Sequence, residues 1–148
     1  MNALADLRIL HLFANYKWTG PAEPAQALAA GLQKRGLGVV FRSSGYTKGN
    51  ARNPVAEHAA ERGLAPVTDL DLSKHRKPWR DWRDARRLRA VFDRERFDLV
   101  HCHLANDTRI ALTALRGRAL PLLRSVYETE PERIRGLDPA TLAGLRRV

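Results

Sequence analysis

Short apolar runs alternate along this chain with longer stretches that carry residues typical of helix starts and helix ends. A short, mostly apolar run is typical of a strand buried on both faces, as in a parallel sheet. Parallel neighbours need crossover connections, which the helical stretches supply. The sequence therefore predicts an α/β fold with an open, doubly wound, mostly parallel Rossmann-like sheet. The predicted strands are residues 7–13, 38–43, 65–72, 97–103 and 121–127, of which the third is the weakest.

Characteristic residues mark where the intervening helices begin and end. Pro24 and Pro54 suit the first turns of the first and second helices, and Gly36 suits the left-handed cap that follows the first. Asn106 and Asp107 supply N-cap chemistry for the fourth. The predicted helices are residues 24–35, 53–62, 79–94 and 106–115.

The length of 148 residues is that of one domain. Residues 138–148 begin like a capped helix and end without a C-cap glycine or a closing strand, so we expect a domain over residues 1–148 that is truncated. No run of 18 apolar residues and no signal peptide is found. The single cysteine, Cys102, excludes an internal disulfide and suits a reducing compartment. We therefore expect a cytoplasmic protein, with a peripheral position on the inner face of the membrane as the alternative.

Basic residues outnumber acidic ones by 26 to 16, which gives a net charge of +10. A positive balance directs attention to acidic partners, namely phosphates, nucleic acid or an anionic membrane surface. Of the basic residues 21 are arginine, a skew that genomic base composition alone can produce. The excess is concentrated in residues 74–96, which hold ten basic and four acidic side chains.

The predicted helix 79–94 carries most of that local charge. Its predicted apolar face consists of Trp82, Ala85, Leu88, Val91 and Phe92. Its basic residues lie largely elsewhere and include Arg80, Arg83 and Arg87. Such a helix either packs on the sheet with a solvated basic face or contacts an anionic membrane, where Trp79 suits the interface. Nucleic acid is the weakest alternative because no known binding motif accompanies the charge.

Ligands of doubly wound sheets bind beyond the carboxyl ends of the strands, so the loops there are the candidate site. The loop after the first strand offers Lys17, Thr19, Gly20 and Glu23 in front of a helix N-terminus, which favours a phosphate or other anion. The dinucleotide-binding glycine fingerprint and the P-loop are both absent. An ordinary surface loop with a turn glycine is the alternative.

Two histidines end the predicted fourth strand. His101 and His103 lie on the same side of it, because strand side chains alternate. We expect His101 to be a hydrogen-bonded core residue. We expect His103 to face the crevice, where an imidazole binds a hydroxyl or titrates near neutrality. No third ligand is spaced to join the pair, so no metal site is expected.

Three stretches together resemble a known family: LRILHLF, KWTGPAEPAQALAAGLQKRG and RERFDLVHCHLANDT. They are similar to the amino-terminal, acceptor-side domain of family-4 type glycosyltransferases of the GT-B architecture. The family's Gly-Gly-x-Glu turn stands here as Gly20-Pro21-Ala22-Glu23, and its D-x-V-H-x-H strand end as Asp98 to His103. Where the family often has Thr-x-His, this chain has Ser125-Val126-Tyr127.

The resemblance implies a retaining hexosyltransferase that uses a nucleotide-sugar co-substrate and no metal or other cofactor. It implies that this domain holds a sugar or lipid-linked acceptor, with His103 as the catalytic residue and Asn106, Asp107 and Tyr127 as acceptor-binding residues. The loop around Lys17 would face the donor diphosphate. The donor site belongs to a carboxyl-terminal domain, in cis or in trans, so this chain alone is expected to be inactive.

Two other classes of function stay open from the residues. The first is a non-catalytic Rossmann-like module that binds a nucleotide or a phosphorylated metabolite. The second is a peripheral binder of membrane or nucleic acid that uses residues 74–96.

Overall fold

The computed structural model describes residues 6–127, and this part of the chain contains four strands and four helices. The elements are β1 (Arg8–Phe13), α1 (Ala22–Lys34), β2 (Gly38–Ser43), α2 (Pro54–Glu61), α3 (Pro78–Arg94), β3 (Leu99–Cys102), α4 (Ala105–Ala114) and β4 (Leu122–Arg124). The strands form one sheet in the order β2-β1-β3-β4, and every neighbouring pair is parallel. The predicted Rossmann-like α/β fold is confirmed.

Each face of the sheet is covered by a pair of helices. Leu10 and Leu12 of β1 belong to a core cluster that also holds buried residues of α3 and α4. Phe13 belongs to a second cluster, on the opposite face, with buried residues of α1 and α2. The division follows from the alternation of side chains along a strand. Strand β1 is therefore central in the sheet and buried on both sides.

The helices begin where the sequence provides starting residues. The side chain of Asn53 accepts a hydrogen bond from the N–H of Ala56 at 3.1 Å and caps α2. Pro54 and Pro78 occupy the first turns of α2 and α3. Gly36 has φ +93° directly after α1, which confirms the predicted left-handed cap.

The predicted third strand, residues 65–72, is wrong. This segment makes only one isolated parallel bridge, between Arg42 and Val67, beside β2. Ala65 and Leu72, at its two ends, have φ of +43° and +38°, so the backbone leaves the extended region at both. Pro66, next to Ala65, has no N–H to donate. The described part of the chain thus holds four strands rather than five.

The remaining differences concern boundaries. The predicted first helix begins at residue 22 rather than 24, and the predicted strands 97–103 and 121–127 shorten to Leu99–Cys102 and Leu122–Arg124. The predicted tail helix, residues 138–148, lies outside the described residues. Among residues 6–127, no helix is both long and apolar enough to cross a membrane.

Candidate functional site

Three histidines lie side by side on one face of β1 and β3, toward their carboxyl ends. His11 of β1 is directly opposite His101 of β3 in the parallel register. His103 follows two residues later, so its side chain is on the same side of the chain. The exposed fractions are 0% for His11, 3% for His101 and 1% for His103. We call these three residues the histidine cluster.

Hydrogen bonds connect the histidine cluster to the segment that follows β4. Nδ1 of His11 and Nε2 of His103 are 3.0 Å apart. Nδ1 of His103 is 2.6 Å from the hydroxyl of Tyr127, and Nε2 of His101 is 2.8 Å from the hydroxyl of Ser125. Nε2 of His11 is buried and has no hydrogen-bond partner among the described residues. The cluster therefore combines two hydrogen-bonded imidazoles, a third ring packed against both, and one unsatisfied buried nitrogen.

Burial keeps these imidazoles uncharged. It lowers the pKa of His103 to about 2 and the pKa of His11 to about 3, with a smaller lowering from neighbouring histidines in each case. Burial also lowers the pKa of His101. At neutral pH each ring therefore has one N–H donor and one nitrogen lone pair.

The structure corrects the expectation for His103 and adds His11 to the predicted pair of histidines. His103 does not face an open crevice, because the Tyr127 side chain after β4 lies against it. His101 is a hydrogen-bonded core residue, as predicted. His11 was missed because it is 90 residues away in the chain, and only the register of β1 against β3 brings it opposite His101. A histidine inside the predicted central strand was the one available sign.

The side chains of Asn106 and Asp107 form hydrogen bonds with backbone groups of neighbouring segments. The Asp107 carboxylate accepts hydrogen bonds from the N–H groups of Ala14, at 2.9 Å, and Leu104, at 3.0 Å. Full burial raises its pKa to about 7, despite these bonds. The Asn106 amide donates to the carbonyl of Ser73 at 2.9 Å. Both side chains are buried and engaged.

The prediction that Asn106 and Asp107 stand at the N-cap of the fourth helix is wrong. Helix α4 begins at Ala105 and its N-cap is Leu104, so Asn106 and Asp107 lie in the first turn. Asp107 still satisfies a backbone N–H at the helix start, that of Leu104.

The loop after β1 is more open than the histidine cluster. Lys17 is exposed, and a Cβ added to Gly20 would meet nothing within 4 Å. The Glu23 carboxylate is 2.6 Å from Arg62 Nη2, an ion pair that joins α1 to the end of α2. The N-terminus of α1 offers fewer free N–H groups than expected. Pro21 and Pro24 carry no N–H, and the N–H of Ala22 donates to the carbonyl of Thr19 at 2.8 Å.

Two tryptophans and several arginines project from the start of α3. The exposed fraction is 81% for Trp79 and 51% for Trp82. The prediction that Trp82 belongs to the buried apolar face is therefore wrong. Ala85, Leu88 and Val91 do join it. The basic side chains of this surface include Arg80, Arg83 and Arg87.

Two of these arginines have partners. The Arg83 guanidinium donates to the Asp71 carboxylate. The Arg80 guanidinium lies 4.3 Å from the centre of the Tyr46 ring. The surface formed by Trp79, Arg80, Arg83 and Arg87 is called the α3 patch below.

Comparison with known proteins adds the following. The sequence profile of the family described as glycosyl transferase 4-like domain matches residues 19–148. A search of the curated proteins found no matching sequence.

Two solved structures share the fold. A glycosyltransferase from Rickettsia africae ESF-5 superposes with a TM-score of 0.64 at 13% identity, covering 93% of this chain and 35% of its own. The chain thus spans about a third of that protein's length. The carboxyl-terminal domain of a hydrogenase from Pyrococcus furiosus superposes with a TM-score of 0.56 at 17% identity, covering 80% of this chain and 91% of its own.

Proposed function

This chain belongs to the family of glycosyl transferase 4-like domains, and from that premise we propose that it is the acceptor-binding half of a retaining glycosyltransferase. The reaction moves a hexosyl group from a nucleotide-sugar donor to a hydroxyl of a sugar or lipid-linked acceptor. A second, carboxyl-terminal domain holds most of the donor, in the same polypeptide or in a separate subunit. The nucleotide sugar is a co-substrate, and no other cofactor takes part in the transfer.

One observation carries the proposal: a hydroxyl group is already bound to His103. The Tyr127 hydroxyl lies 2.6 Å from Nδ1 of His103, and Tyr127 itself is only half-buried. We propose that the acceptor hydroxyl takes that position when the Tyr127 side chain turns aside. The pKa of His103, lowered by burial to about 2, makes its imidazole too weak a base to remove a proton at neutral pH. His103 therefore orients the acceptor oxygen.

The loop after β1 supplies the donor side of the proposed cleft. Because two prolines and an internal hydrogen bond occupy the start of α1, the donor diphosphate depends on the Lys17 and Thr19 side chains and on the helix dipole. Gly20 leaves room for the close approach of a phosphate. Glu23 holds the helix in place through Arg62. Asn106 and Asp107 support the acceptor site by fixing the backbone around His103.

The experiment is a ligand titration of the isotope-labelled 148-residue chain, followed by NMR. The probes are a panel of methyl hexosides, with UDP and GDP as separate samples. We expect hexosides to shift resonances of His103 and Tyr127. His103→Ala removes the accompanying shift of the neighbouring His101, whereas Tyr127→Phe retains the shifts of His101 and His103 because it only removes the competing hydroxyl. His58→Ala, at an exposed site, is the matched control.

The possible results separate the hypotheses. Nucleotide binding that is independent of any sugar supports the non-catalytic nucleotide module instead. Hexoside shifts that survive His103→Ala exclude His103 from the acceptor site. With the donor-binding half supplied, His103→Ala lowers turnover by about 100-fold, the cost of losing alignment of the reacting groups.

We propose a second function, in which the α3 patch contacts an anionic membrane. The observation that favours it is Trp79, which is 81% exposed at the start of a helix rich in arginine. Exposed tryptophans suit the membrane interface, and arginines attract anionic headgroups.

Vesicle co-sedimentation tests this contact. We expect binding to vesicles of phosphatidylserine and phosphatidylcholine, and none to phosphatidylcholine alone. Arg80→Gln, Arg83→Gln and Arg87→Gln combined releases the protein. The matched control neutralises three exposed arginines elsewhere, Arg35, Arg52 and Arg116. Equal loss of binding in both variants reduces the effect to net charge and overturns the assignment.

A further inference from the structure

The histidine cluster has the donor set of a transition-metal site. The cluster presents one ring nitrogen from each of three histidines, and these three atoms all lie within 4.8 Å of one another. Neutral imidazole nitrogens suit zinc, copper, nickel and iron, and three of them leave a fourth position for water. We propose that His11, His101 and His103 bind a divalent zinc ion. The proposed ion shares His103 with the acceptor site proposed above, and its test therefore measures metal binding rather than transfer activity.

In His101 and His103, a hydrogen bond occupies one ring nitrogen and leaves the other for a metal. A ligating histidine normally gives one nitrogen to the metal and donates its other N–H to an oxygen. Nδ1 of His103 has the Tyr127 hydroxyl at 2.6 Å, which leaves Nε2 for the metal. Nε2 of His101 has the Ser125 hydroxyl at 2.8 Å, which leaves Nδ1. Ser125 and Tyr127 thus occupy one nitrogen of each ring and leave the other available to the metal.

His11 provides the third ligand through Nδ1, so that the ion replaces the hydrogen bond between this atom and Nε2 of His103. Its Nε2 atom is buried and has no hydrogen-bond partner among the described residues, and it carries the ring proton when Nδ1 binds the metal. Its Nδ1 atom is 3.0 Å from Nε2 of His103. Two nitrogens on one tetrahedral zinc are about 3.3 Å apart, given Zn–N bonds of about 2.0 Å. A small separation of these rings therefore admits the ion.

Metal binding requires one rearrangement. The rings of His101 and His103 are stacked, with centroids 4.3 Å apart and planes 20° apart, so their lone pairs do not yet converge. The proposal requires the two rings to rotate about χ2, a soft torsion in histidine, until both lone pairs point at the ion. The half-buried side chains of Ser125 and Tyr127 are the part of the site nearest to solvent and provide the route of entry.

The test uses the untagged 148-residue chain, because a polyhistidine tag binds the same metals. Cobalt titration followed by visible absorption reports tetrahedral coordination, and zinc competition reports affinity. We expect one ion per chain. His11→Gln weakens binding by more than about tenfold, since the ligand set falls to two. The double variant His58→Gln, His75→Gln leaves the cluster as the chain's only histidines, and we expect it to bind like the wild type.

A second measurement on the wild type does not depend on the folding of a variant. Zinc titration followed through the imidazole ¹⁵N resonances should shift His11, His101 and His103 and leave His58 and His75 unchanged. Binding by the surface histidines alone, binding that survives His11→Gln, or no binding overturns the proposal. Shifts confined to the cluster, with one equivalent of zinc, support it.

Discussion

Gly45 lies where the segment after α2 crosses close to the end of β2. A Cβ placed on it would be 2.2 Å from the carbonyl oxygen of Thr68 and 2.9 Å from that of Leu70. Both are backbone atoms, and the Leu70 carbonyl also accepts the Gly45 N–H at 2.7 Å. A side chain at this position therefore forces the two backbone segments apart.

We predict that Gly45→Ala lowers the free energy of unfolding by about 1–3 kcal/mol, the usual cost of overpacking. Urea denaturation followed by circular dichroism measures it. Gly20→Ala is the control, because a Cβ there meets nothing within 4 Å, and we expect it to change stability by less than about 0.5 kcal/mol. Equal effects of the two substitutions contradict the close approach.

Asp84 is a buried carboxyl that joins α3 to the segment before it. It accepts the N–H of Asp71 at 3.0 Å and that of Leu72 at 2.8 Å. Burial raises its pKa, and these two hydrogen bonds only partly offset the effect. The folded state therefore binds the Asp84 proton more tightly than the unfolded state does.

From this raised pKa we predict a pH dependence of stability. The contribution of Asp84 to the free energy of unfolding is complete below the unfolded pKa of about 3.9 and falls as pH rises through the raised folded value. The wild type therefore loses stability relative to Asp84→Asn as pH increases from about 4. Urea unfolding of both proteins across this range tests it, and an advantage of the wild type that grows with pH contradicts the raised pKa.

At the same residue scale, two of the three members of the histidine cluster could be predicted from sequence. His101 and His103 are two residues apart on one strand, and strand alternation alone places them together. His11 could not be predicted, because strand order and register are set by packing between distant segments. The burial of His103 depends likewise on Tyr127, which is 24 residues further along the chain.

Helix α1 contains one glycine in its interior, Gly31. A Cβ at this position would meet nothing within 4 Å, so an alanine fits without displacing a neighbour. Glycine in a helix costs about 1 kcal/mol relative to alanine, because it loses more backbone freedom on folding.

We predict that Gly31→Ala raises the free energy of unfolding by up to about 1 kcal/mol. The reverse exchange at an exposed position of the same helix, Ala27→Gly, should lower it by a similar amount. The urea midpoints of the two variants and the wild type provide the measurement. A loss of stability in Gly31→Ala is evidence that another segment packs against this position.

At the scale of elements, the helices were predicted closely and the weakest strand was not. Prolines, a capping asparagine and terminal glycines act within a few residues, so they are visible in sequence. Residues 65–72 have strand-like composition, yet Ala65 and Leu72 adopt left-handed backbone conformations. The segment instead ties β2 to α3 through Asp71 and Asp84, and no local pattern encodes such a connection.

The whole molecule carries a charge of +10, and residues 74–96 contain a local excess of six positive charges. Repulsion between like charges destabilises the compact state at low ionic strength. Salt shortens the Debye length from about 30 Å at 0.01 M to about 8 Å at 0.15 M, which screens this repulsion.

We predict that raising NaCl from about 0.01 to 0.15 M increases the melting temperature by about 2–4 °C, equivalent to about 1 kcal/mol. Calorimetry provides the measurement. The combined Arg80→Gln, Arg83→Gln and Arg87→Gln variant should show a smaller increase, because its net charge is lower. A melting temperature that falls with salt means that ion pairs such as Arg62–Glu23 outweigh the repulsion.

The strand order β2-β1-β3-β4 also determines how long β1 lacks one of its two neighbouring strands while the chain is being synthesised. The partner on one side of β1 ends at Ser43, whereas the partner on the other side ends at Cys102, 59 residues later. A ribosome that adds about 5–20 residues per second takes about 3–12 s to cover that interval. Throughout it, the edge of β1 that later bonds to β3 has no partner within its own chain. The nascent protein therefore depends on this interval passing without capture of that edge by another strand.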